Sequence, residues 1–211
     1  MHTAEHSSGL TKPGHKALSH APSSLSSSIA LVAVDAHGTG QAAAHLLDDF
    51  AEALAVYARL GGDPAPQIVR DEPSSADTLV MGFAAEDADA AYQLVGSRAA
   101  KTRVYALVTT EEPSPAQAAA TLEGLGRACA DEGLAWEGGL AVGGAALRDA
   151  VRHTPRMGWL RRDLSEKVDQ LILAVRCGTS AGVLESKPPL PRWAYAPAVA
   201  ALARRAGRSA R

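Results

Sequence analysis

One apolar run, together with the glycine-rich turn joined directly to it, constrains this chain most. Ile29-Ala30-Leu31-Val32-Ala33-Val34 is continuous and partly β-branched, the pattern of a short strand buried on both faces. It runs into Asp35-Ala36-His37-Gly38-Thr39-Gly40, and a helical pattern begins at once. Ala43, Leu46, Leu47, Phe50, Leu54 and Tyr57 share one helix face, and Gly61-Gly62 stops it. A strand that feeds a helix across a glycine-rich turn is the start of an α/β fold with a parallel sheet.

The rest of the chain continues the alternation. Gln67 to Arg70 reads as a short, weak strand, Pro73-Ser74-Ser75 as a turn, and Thr78 to Phe83 as a strand. A helix is expected from about Asp87 to Gly96, then a strand from Arg103 to Thr110. Ser114, Pro115 and Gln117 have the spacing of a capping box, with Ala118, Leu122, Leu125 and Cys129 lining the helix and Gly133 closing it. Leu134 to Val142 reads as the last strand and leads into Gly143-Gly144. A short helix over 145–153 comes next, then a long one from Leu160 to Val175 with Gly178 as its stop. Residues 179–192 read as a connection, and 196–206 as a final helix. The expectation is a three-layer, doubly wound sheet of five parallel strands with extra C-terminal helices. The strand at 67–70 lacks a clear crossover helix to the next.

Composition removes several classes. With 46% hydrophobic and 21% charged residues over 211, the chain can bury a core, and aromatics at 4% leave Ala, Val and Leu to build it. Two cysteines exclude a disulfide scaffold and a Cys-rich metal centre, so no metal is expected. No apolar run approaches the ~18 residues of a membrane helix. Residues 1–28 carry eight serines and four histidines with little apolar content, so a disordered leader without a secretory signal is expected, and a cytoplasmic location with it. The domain is then 29–207, with a basic tail at 208–211. Charge is uneven: residues 29–147 hold 6 basic and 17 acidic residues, and 148–211 hold 13 basic and 5 acidic. The plain reading is solvated faces plus a basic tail; the alternatives are that the basic part folds onto the acidic part or recruits an anion. Nucleic acid is not an expected partner, and neither is a membrane.

The turn after the first strand carries the chemistry. Glycines let the backbone wrap an anion, Thr39 adds a hydroxyl, and the helix start supplies free N–H groups. The turn lacks the Lys and Ser/Thr of a P-loop. It also lacks the third glycine of the dinucleotide turn, having Ala43 there. A phosphate cradle and a glycine-rich turn that binds nothing both remain open.

The Gly38-Thr39-Gly40 turn resembles the flavodoxin phosphate loop, Ser/Thr-x-Thr-Gly-x-Thr. Trp136-Glu137-Gly138-Gly139-Leu140-Ala141-Val142-Gly143-Gly144 and Pro191-Arg192-Trp193-Ala194-Tyr195 resemble elements of flavodoxin-like NAD(P)H-dependent oxidoreductases. The resemblance spans about residues 29–207. It implies a flavodoxin-like fold with strand order 2-1-3-4-5, FMN as cofactor, and NAD(P)H as a donor to a small redox substrate or electron carrier. It would place the FMN phosphate on His37, Gly38, Thr39, Gly40 and Gln41. The ring would lie near Phe83, Ala84 and Ala85 and near Thr109, Thr110 and Glu111. The chain departs from the pattern in four places. Gln41-Ala42 replaces x-Thr, Phe83-Ala84-Ala85-Glu86 lacks the usual stacking aromatics, the second crossover helix is missing, and the acidic Glu86-Asp87-x-Asp89 lies where an anionic cofactor would approach. A flavodoxin-like binding or interaction module that has lost its cofactor is therefore the alternative.

Other residues carry plainer readings. His37 can donate to a phosphate or transfer protons, but shows no partner in the sequence. His45 and His153 are expected at the surface, and Cys129 in the core. Cys177 stands beside a helix stop, unpaired with Cys129. Trp193 and Tyr195 are expected to anchor the last helix.

Overall fold

The computed structural model describes residues 28–62, 64, 66–70 and 76–209. The expected leader, but for Ser28, and the Pro73-Ser74-Ser75 turn lie outside the described residues. The elements are β1 (Ser28–Val34), α1 (Gln41–Gly61), β2 (Gln67–Arg70), β3 (Thr78–Ala84), a 3-10 turn (Ala85–Asp87), α2 (Ala88–Gly96), β4 (Arg103–Thr110), α3 (Ala116–Asp131), β5 (Ala135–Gly143), α4 (Ala145–Ala150), α5 (Arg162–Cys177), β6 (Gly182–Ser186) and α6 (Arg192–Ser209).

All pairings are parallel, and the sheet has six strands in the order β2-β1-β3-β4-β5-β6. The expectation of five strands in the order 2-1-3-4-5 is thus corrected. The sixth strand comes from residues read as a connection. Gly-Val-Leu-Glu-Ser is too short to show a period, and pairing with β5 creates it. Gly138 (φ +111) lies against Gly182, and a Cβ there would collide with the Gly182 backbone. Glu137 is the extra residue where the β4–β5 register shifts, and its carbonyl accepts the Ala181 N–H.

Side chains alternate across the sheet and build two cores. Leu31, Val80, Tyr105, Leu107, Leu140 and Val142 pack under α1 and α5. Val32, Leu79, Met81, Phe83, Val104, Ala106 and Val108 pack under α2 and α3. α1 sits close to β3 because residue 82 is glycine: a Cβ there would lie 2.6 Å from the Leu47 side chain. Gly62 and Gly178, both left-handed, end α1 and α5 as their sequence positions predict. The capping box before α3 does not form. Pro115 is the cap residue, the Ser114 hydroxyl accepts the Ala116 N–H, and Gln117 instead accepts the Thr110 hydroxyl at 3.0 Å.

The last helix begins at Arg192, four residues earlier than expected, and takes in part of the expected basic tail. Trp193 does not anchor it: the indole is 82% exposed. Tyr195 holds that place. Its hydroxyl accepts the Leu147 N–H at 3.4 Å, its ring meets Gly144, and burial raises its pKa.

Candidate functional site

β1 and β3 are adjacent, and the chain leaves their C-terminal ends toward opposite faces of the sheet. α1 goes to one face, and the Ala85–Asp87 turn with α2 goes to the other. Such a divergence is where open α/β sheets bind ligands. The Ala36–Gly40 turn occupies it. Gly38 takes φ +75, and space above it is open, since a Cβ would meet nothing within 4 Å. Gly40 N–H donates to Asp35 Oδ1 at 3.1 Å.

Several other groups of the turn converge on one internal carboxylate. Asp87 is fully buried. Its Oδ1 accepts the backbone N–H groups of Ala36 and His37, each at 3.1 Å, and lies 2.6 Å from His37 Nδ1. Its Oδ2 accepts the Thr39 hydroxyl at 3.3 Å. The turn has the chemistry of an anion cradle, and the anion it holds is Asp87. A buried carboxylate needs such donors, because an unpaired charge away from water is costly.

The structure brings some of the expected site residues together. His37, Gly38, Thr39 and Gly40 form the turn, and Gln41, exposed, opens α1. Phe83, Ala84 and Ala85 lie just across from it but are buried, Phe83 completely. Thr109 pairs with Ala84, is buried, and has no partner for its hydroxyl. Thr110 is committed to Gln117, and Glu111 is exposed.

Part of the set expected to hold FMN is committed elsewhere in this arrangement. The Ala36 and His37 N–H groups and the Thr39 hydroxyl are taken by Asp87, whose negative charge would repel a phosphate. Phe83, Ala84 and Ala85 offer no exposed face for the ring. Among the described residues, no three or more His, Cys, Asp or Glu side chains gather as a metal site. No helix among them is long and apolar enough to cross a membrane.

A second polar cluster joins α1 to α4 and the turn after it. His45, expected at the surface, is half-buried, with Nδ1 2.7 Å from Asp149 Oδ1, and it also meets the Arg152 guanidinium. Arg161 is buried, pairs with Asp49, and donates to the Arg152 and Thr154 carbonyls. Burial raises the Asp49 pKa, opposed by Arg161 and Arg156. Arg148 donates to the Leu160 carbonyl at 3.0 Å and to Ser186 Oγ at 2.9 Å, and burial lowers its pKa to about 10. The basic C-terminal part does fold onto the acidic part, through Arg161 to Asp49 and Arg192 to Glu112.

Sequence reasoning missed the role of Asp87. It had one signal: an acid three residues beyond a buried strand, on the edge where the turn also lies. Comparison with known families, with characterised proteins and with solved structures finds no match.

Proposed function

We propose that this chain is a non-catalytic binding or interaction module on a flavodoxin-like sheet, with its former phosphate turn closed by its own carboxylate. The all-parallel sheet with helices on both faces supports the fold reading. The single observation that carries the functional reading is Asp87. One buried side chain takes two backbone N–H groups, the His37 ring nitrogen and the Thr39 hydroxyl. A phosphate taking these donors would leave a buried carboxylate without them, a loss of several kcal/mol at about 1–3 kcal/mol per abandoned group.

The second reading is an FMN protein exchanging hydride or electrons with NAD(P)H. The place of the turn at the divergence of β1 and β3 favours it, as does the open space over Gly38. It requires Asp87 to leave the turn.

An FMN titration followed by flavin fluorescence separates the two. The closed-turn reading expects no saturable quenching. Saturable quenching that is lost in Gly40→Val would replace it with the redox reading, because a side chain at 40 crowds Asp35 and the Val34 carbonyl at the mouth of the turn.

A further inference from the structure

Two loops face each other across a groove of about 240 Å³ at the C-terminal edge of the sheet. Glu112, Pro113 and Ser114, between β4 and α3, form one wall. Lys187, Pro188, Leu190 and Arg192, after β6, form the other. Both walls are seated on the glycine pair that ends β5. A Cβ on Gly143 would collide with the Pro113 carbonyl, and one on Gly144 would lie 2.6 Å from Pro188 Cγ. Gly144 N–H also donates to the Glu112 carbonyl at 2.7 Å. Prolines stiffen both walls, so the groove stands ready without an ordering cost on binding.

The walls have a definite chemistry. Lys187 and Arg192 are exposed cations on one side. On the other, Ser114 accepts the Ala116 N–H and keeps its own O–H to donate. Pro113, Pro188 and Leu190 add apolar surface between them. The carboxylate on the rim, Glu112, meets Arg192 at 3.7 Å, and both side chains are mostly exposed. Such a pair is weak and easily exchanged.

We propose that this groove binds a small molecule bearing an oxyanion group, a carboxylate or a phosphate, on Lys187, Arg192 and Ser114. Arg192 exchanges Glu112 for the ligand's oxygens, and the apolar part of the ligand rests on the prolines and Leu190. The site shares no residue with the Ala36–Gly40 turn, so it stands or falls separately from the closed-turn reading.

The test is a titration of the full chain with inorganic phosphate and, separately, with succinate, read by backbone amide shifts. Saturable shifts are expected at Ser114, Lys187 and Arg192, with His37 and Thr39 unmoved. Lys187→Gln and Arg192→Gln should each weaken binding about tenfold. Glu112→Gln should tighten it severalfold, because it removes the competitor for Arg192. Tighter binding of one probe tells phosphate from carboxylate. No saturable shift with either probe, or an affinity indifferent to the three substitutions, overturns the site. Shifts at His37 and Thr39 alone also overturn it and count against the closed turn. FMN uptake at the turn with the groove shifts intact overturns only the closed-turn reading.

Discussion

Asp87 Oδ1 lies 2.6 Å from Nδ1 of His37 and 3.1 Å from the backbone nitrogen of the same residue, although the two are 50 positions apart. This pair ties the turn after β1 to the Ala85–Asp87 turn after β3. Asp87→Ala leaves the Ala36 and His37 N–H groups without their acceptor. It should lower stability by about 3 kcal/mol, at roughly 1–3 kcal/mol per part-buried group left unpaired. Urea unfolding monitored by circular dichroism measures it. An unchanged midpoint would mean that Asp87 does not hold the turn.

Trp193 and Tyr195 should differ sharply. Trp193→Ala should stay within about 0.5 kcal/mol of wild type, as exposed substitutions do. Tyr195→Ala empties the contact with Gly144 and Leu147 and should cost about 3 kcal/mol. Paired melting curves decide. Equal losses would place the indole in the core instead.

Asp49 ties stability to pH. Burial raises its pKa above the ordinary 3.8. In the interval from 3.8 up to the raised value, the folded state binds more protons than the unfolded one. This carboxyl therefore favours folding at low pH and loses that contribution as pH rises through the interval. The pH profile of unfolding free energy for Asp49→Asn should lack this downward component. Superimposable profiles for wild type and variant would remove Asp49 as its source.

The two thiols should react as one accessible and one protected group. Cys177 is exposed, and Cys129 is buried with its pKa pushed up to about 12. A thiol reagent at about pH 8 should modify Cys177 quickly in the native protein and Cys129 only after denaturation. Rapid native reaction at both would contradict the packing of α3.

Gly138 should be intolerant of any side chain. Its φ of +111 and the Gly182 backbone against it both oppose a Cβ. Gly138→Ala should cost about 3 kcal/mol from strain and overpacking together. The loss should be accompanied by faster amide exchange along β6. Protection of β6 equal to wild type would show that the strand does not depend on this approach.

The elements whose signal is local are legible in the amino-acid pattern. Five strands, the helices between them and the glycine stops at 62 and 178 come from runs, periods and terminators within a single segment. A buried strand is apolar whatever lies beside it, and a left-handed residue favours glycine wherever it occurs. The rest depends on contacts between distant segments. β6 exists because Gly138 and Gly182 let two backbones approach, which neither segment announces alone. Trp193 and Tyr195 are two residues apart with similar rings, and helix geometry sends one to solvent and the other onto Gly144. The turn at 36–40 carries the same donors whether it holds a phosphate or a carboxylate. Asp87 is brought to those donors across the sheet by the pairing of β1 with β3, and no local pattern encodes a contact between segments 50 residues apart.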